Sequence, residues 1–114
     1  MRLYLSGPIT GIEDYGPRFA AAADQLEAVG YTVVNPATIG DRPGWLWADY
    51  MRAALQLMCN CQGVALLPGW QESKGARLER EVADRLSMPT TTVDGWLSDT
   101  LLAARPLLGE GARR

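Results

Sequence analysis

The 114-residue chain contains no histidine. That absence excludes Ser-His-Asp and Cys-His nucleophile systems, histidine-bearing zinc sites and histidine acid–base catalysis. Chemistry is left to carboxylates, hydroxyls, amides, arginines and thiols. Cysteine is nearly absent too: Cys59 and Cys61 stand one residue apart, a spacing that suits neither a four-ligand zinc site nor an ordinary long-loop disulfide. Two reduced, buried thiols in a cytoplasmic setting are expected, with no metal and no cofactor. Cations are not in excess, because 11 Lys and Arg stand against 13 Asp and Glu, for a formal charge of -2 and a pI near 5.0. Without a basic stripe, a nucleic-acid polymer is not an expected partner. No apolar run reaches the roughly 18 residues of a membrane span, and "MRLYLSGPITG" turns at Gly-Pro too soon for a secretory signal. Neither a membrane partner nor export is expected. A P-loop and a G-x-G-x-x-G pattern are also missing, which disfavours nucleoside triphosphates and dinucleotides.

What is present fits one folded domain over residues 1–114, with a frayed tail at 105–114. Hydrophobic residues make up 47% and charged residues 21%, so the chain has the means to build a core. That core is small at this length, and a deep site would draw on a neighbouring subunit.

Strand, loop and helix signals alternate along the chain. Arg2–Leu5 reads as a short buried strand closed by Ser6, Gly7 and Pro8, followed by the Gly- and Pro-rich loop "GPITGIEDYGP". From Pro17 to Val29 the apolar positions Phe19, Ala22, Ala23, Leu26 and Val29 recur at helical spacing, with Gly30 as the stop. "YTVVNP" is a second strand and "ATIGDRPGW" a second irregular loop. Trp47, Tyr50, Met51, Ala54, Leu55 and Met58 mark another helix face, leading to "GVALLP" at 63–68. "GWQES" precedes a helix from about Gly75 to Leu86, "TTTV" at 90–93 is a fourth strand, and a short helix runs around 96–104. Such alternation predicts an α/β fold: a three-layer α/β/α sandwich, Rossmann- or flavodoxin-like, on a four- or five-stranded mainly parallel sheet. Ligands of such sheets sit beyond the carboxyl ends of the strands, where strand order reverses. That rule selects the loops 6–16, 36–47 and 68–75.

One carboxylate is out of place. At about 100° per residue from Gly75, Leu78, Val82, Leu86, Ala83 and Ala76 fall in one arc and Arg77, Arg80, Glu81, Asp84 and Arg85 in the opposite one. Glu79 lies in the apolar arc. It is either a first-turn glutamate that favours the helix N-terminus and reaches solvent, or a carboxylate facing a ligand crevice, since burial requires pairing, hydrogen bonding or a cavity rim. Ser73 suits the N-cap of that helix, and the N–H groups behind it form an anion site. Trp45 and Trp70, in two of the selected loops, are candidates to stack on a planar base.

The motifs "YLSGPITG", "NP", "YM" and "LLPGWQESKGARLE" together resemble the nucleoside 2-deoxyribosyltransferase-like superfamily, and within it a small phage- and bacteria-associated group of uncharacterised domains. The resemblance covers about residues 3–93, and its most specific part is the ordered set Tyr4, Ser73, Gly75 and Glu79. It implies that Glu79 is the nucleophile and that Tyr4 hydrogen-bonds it. It implies cleavage of an N-glycosidic bond, with Ser73 in the place where transferases acting on free nucleosides carry an acid, so that a nucleoside 5′-monophosphate is the expected substrate. Ser6, Gly7, Ile9 and Gly11 fall on the family's substrate loop. The resemblance would also place aspartates near positions 54 and 62, where this chain has Ala54 and Gln62; Asp49, Glu13 and Asp14 are the acids left to assist a departing base. A non-catalytic nucleotide-binding module is the alternative, with deoxyribosyl transfer or ribonucleotide phosphoribohydrolysis as related activities. The expected partners are a small nucleotide or nucleoside and a second copy of the chain, as a homodimer or higher homo-oligomer.

Overall fold

The computed structural model describes residues 1–103, the last four as backbone only; the expected tail at 105–114 lies outside the described residues. Strand β1 covers Arg2–Ser6, helix α1 Tyr15–Ala28, β2 Thr32–Val34, α2 Trp47–Cys59, β3 Gly63–Leu66, α3 Lys74–Arg85, β4 Thr90–Thr92 and α4 Val93–Ala103. Single 3-10 turns occupy Pro36–Ile39 and Trp70–Glu72. The strands form a four-stranded sheet in the order β2-β1-β3-β4, and every pairing is parallel. Parallel pairing follows from the helical crossovers, which return the chain to the same end of the sheet.

Side chains alternate along β1, so one strand serves two cores. Leu3 and Leu5 join Phe19, Ala22 and Leu26 of α1 and Val93 and Trp96 of α4 on one face. Tyr4 joins Ala54 and Met58 of α2 and Ala83 of α3 on the other. The fold is therefore a three-layer α/β/α sandwich. Trp96 ties the layers by donating its indole N–H to the Val64 carbonyl at 2.9 Å.

Element ends differ from the pattern-based expectation by small amounts with local causes. Helix α1 starts at Tyr15, two residues ahead of Pro17, because proline lacks only an N–H that the first turn leaves unbonded. Val29 is the residue after that helix and is exposed. Helix α3 ends at Arg85, so Leu86 leaves the apolar arc and is 56% exposed. The thiols also part company: Cys61 is buried and Cys59 exposed. Among the described residues no helix is long and apolar enough to cross a membrane.

Candidate active site

The strand order reverses between β1 and β3, since the chain leaves β1 toward β2 on one side and places β3 on the other. At the carboxyl ends of these two strands, on the α2/α3 face, lies a crevice of about 500 Å³. Its floor is set by β1 and α3. Tyr4 and Ser6, two residues apart, point to the same face; both are fully buried. Glu79 projects at them from α3, within the buried stripe Ala76, Glu79 and Ala83. Tyr4 Oη donates to Glu79 Oε2 at 2.5 Å and Ser6 Oγ donates to Oε1 at 2.7 Å. Each carboxylate oxygen thus holds one protein donor and keeps a lone pair for another contact.

Burial raises the Glu79 carboxyl to about 7, against the opposing pull of the two donated hydrogen bonds. Burial likewise holds the Tyr4 phenol well above its ordinary range, and the adjacent Glu79 charge adds to the effect. Tyr4 therefore remains a donor, and Glu79 changes charge near neutrality. That combination of a buried, hydrogen-bonded and strongly perturbed carboxylate at a crevice makes this crevice the candidate functional site.

Two close approaches shape the walls. A Cβ on Gly75 would meet Met51 Sδ at 3.0 Å, so the glycine lets α3 draw up to α2. A Cβ on Gly7 would meet Leu67 Cβ at 2.8 Å, so the chain can leave β1 in that direction only without a side chain. Ser73 caps α3 by accepting the Ala76 N–H at 3.1 Å, which leaves the serine proton free to donate toward the crevice it lines.

A family model for a domain of unknown function, DUF4406, matches residues 1–92. The chain belongs to the DUF4406 family. No curated protein matches it. Among solved structures, the DUF4406 domain is similar to a 2-deoxyribosyltransferase from the psychrotolerant bacterium Bacillus psychrosaccharolyticus, with a TM-score of 0.62 at 15% identity, covering 79% of this chain and 69% of that one. At that identity the similarity establishes the fold, which is nucleoside 2-deoxyribosyltransferase-like.

The DUF4406 domain brings together most of the residues singled out from the sequence. Tyr4, Gly7, Ile9, Gly11, Ser73, Gly75 and Glu79 all line the crevice. Ser6 does not; it lies beneath, fully buried, with its hydroxyl committed to Glu79. Neither Trp45 nor Trp70 faces the crevice. Trp45 packs edge-on against Tyr50, its centroid 5.1 Å away, under the Arg42 guanidinium. Trp70 packs on the α2/α3 core beneath Arg80 and borders a separate hollow beside Arg18 and Asp94. The aromatic walls of the crevice come instead from Trp47 and Tyr50, on the first turn of α2, and from Tyr15 and Phe19 of α1. Trp47 and Tyr50 belong to the apolar helix face read from the sequence, but that pattern does not distinguish a core residue from a crevice wall.

Ala54 also borders the crevice, so no acid stands at that position. Gln62 accepts the Arg2 backbone N–H and is a strand tie. Of the acids named as substitutes, Asp14 pairs with Arg18 at 3.0 Å, and Asp49 accepts the Leu46 N–H and pairs with Arg52. Glu13 alone of the three lines the crevice, joined by Asp41 from the loop 36–47. Among the described residues no cluster of three or more Asp, Glu or Cys is placed to hold a metal ion.

Proposed function

We propose that this domain cleaves the N-glycosidic bond of a deoxynucleoside or nucleoside 5′-monophosphate, with Glu79 as the nucleophile. The observation that carries the proposal is the Glu79 carboxylate, buried yet exposed to the crevice and held on both oxygens by Tyr4 and Ser6. A carboxylate so fixed cannot swing to solvent, and Glu79 lines the space a sugar would fill. The fold shared with a 2-deoxyribosyltransferase adds support at the level of the reaction class.

In the first step a Glu79 oxygen bonds to the anomeric carbon as the C–N bond breaks. The electron pair of that bond passes to the base nitrogen, which takes up a proton from solvent, and an oxocarbenium-like transition state precedes the glycosyl ester. Water then adds to the anomeric carbon, the ester bond returns its electrons to Glu79, and the water's second proton leaves to solvent. Free base and sugar 5-phosphate are the products. Tyr4 and Ser6 hold the carboxylate at the attacking position and stabilise it as a leaving group in the second step. The 5′-phosphate sits at Ser73, where the helix N-terminus favours negative charge and the serine proton donates.

Ala54 supports a second role, a nucleotide-binding module without turnover, because the crevice carries no acid at that position. One experiment separates the two. Purified protein is incubated with deoxy- and ribonucleoside 5′-monophosphates and free base is followed by chromatography. Release by the wild type that Glu79→Gln abolishes, by about a thousandfold or more, is the expected result. Its rate should climb with pH through about 7, as Glu79 loses its proton and becomes the nucleophile. Nucleotide binding with no release by the wild type overturns the hydrolase and establishes the module.

A further inference from the structure

The strand order β2-β1-β3 also orders the crevice. Ser73 and Gly75 open α3, the helix that follows β3; Glu79 meets β1 at Tyr4 and Ser6; and the segment after β2 closes the opposite end with Gly40 and Asp41. With phosphate at one end and the anomeric carbon over Glu79, the base extends toward β2. We infer that Asp41 reads the base and selects those that carry an exocyclic amino group; the inference rests on the function proposed above.

Three observations support this assignment. Asp41 lines the crevice, yet its carboxylate neither accepts a hydrogen bond from nor pairs with a cation of any described residue. Asp14 and Asp49, by contrast, are engaged. The backbone on both sides of Asp41 is fixed. Gly40 takes a left-handed turn at φ 68° and donates to the Ala37 carbonyl, while Arg42 donates its N–H to Tyr50 Oη at 2.8 Å and its Nε–H to the Ile39 carbonyl at 3.1 Å. Asp41 itself is exposed at the crevice, and its short side chain on an anchored backbone presents an acceptor within a narrow range of positions, which recognition needs. Glu13 also lines the crevice, but it has a longer side chain and stands on the β1–α1 loop rather than beyond β2.

A carboxylate accepts hydrogen bonds and donates none. Adenine, guanine and cytosine offer it amino N–H donors. Thymine and uracil offer one ring N–H between two carbonyl oxygens, whose lone pairs oppose the carboxylate.

The test uses the Glu79→Gln chain, so that ligand is not consumed, and calorimetric titration with dAMP, dGMP, dCMP, dTMP, dUMP and ribose 5-phosphate. The amino-bearing nucleotides should bind about 10- to 100-fold more tightly than dTMP and dUMP. Adding Asp41→Asn should shrink that gap to within about threefold while ribose 5-phosphate affinity is unchanged. Equal binding of all five nucleotides, or a gap that survives Asp41→Asn, overturns the assignment of Asp41 even if the wild type releases base. If the wild type releases no base, the hydrolase falls, and the binding gap still decides for or against Asp41.

Discussion

The two faces of the sheet share strands but not character. On the α1/α4 face, Leu3 and Leu5 meet Phe19, Leu26, Val93 and Trp96, large apolar side chains that fill their space. On the α2/α3 face, the same strand presents Tyr4 and Ser6 to one large side chain, Met58, to the small residues Ala54 and Ala83, and to one buried carboxylate. The first face stabilises the fold by removing apolar surface from water. The second gives up part of that gain to hold a charged group near a crevice. A difference of one residue along β1 thus separates a packed apolar core from one that holds a buried carboxylate.

Breaking the apolar face should have the largest effect on stability. Phe19→Ala removes a ring from a site 1% exposed, and should lower unfolding free energy by about 3–5 kcal/mol, measured by urea denaturation. A loss under about 1 kcal/mol would show that this core is not packed as described.

Much of the contrast between the faces was legible before the structure. The period-3.6 pattern of α1 located Phe19, Ala22 and Leu26, all buried, and the helical wheel of α3 set Glu79 among apolar residues, where it lies. Those patterns record only which side of an element faces inward. They carried Leu86 along as if α3 continued, whereas a helix end releases its last side chain from the face. The choice of Trp45 and Trp70 over Trp47 failed for a related reason: loop conformation, not periodicity, decides where a loop aromatic turns. A substrate-loop place for Ser6 conflicts with its two-residue offset from Tyr4, which puts both on one face. Asp41 lies in the selected loop 36–47, but nothing in the sequence singles it out within that loop, since its position depends on the Gly40 turn and on the Tyr50 hydroxyl eight residues beyond Arg42.

The reactive face should respond to mutation in the opposite sense. The Glu79 carboxyl is raised from 4.5 to about 7 by burial, so folding favours its neutral form. Its contribution is fully present below about 4.5 and is lost as pH rises to about 7, a loss of roughly 3 kcal/mol. Glu79→Gln, which carries no proton to lose, should therefore be more stable than the wild type at pH 8. The advantage should vanish toward pH 4.5. Thermal melts at several pH values test this; an advantage independent of pH would refute it.

The smallest effect belongs to the rim. Ser73→Ala removes the acceptor of the Ala76 N–H and should destabilise by about 1 kcal/mol. It should also weaken binding of a nucleoside 5′-monophosphate more than that of the matching nucleoside. Equal weakening of both ligands would confine Ser73 to helix capping.

The strand β1 spans only Arg2–Ser6. Because its odd positions supply one core and its even positions the other, a single inserted or deleted residue there would exchange leucines for the donors of Glu79. Stability and site chemistry are therefore inherited together in this segment. Loops can change length without disturbing that alternation, but the phase of the five residues has to be kept.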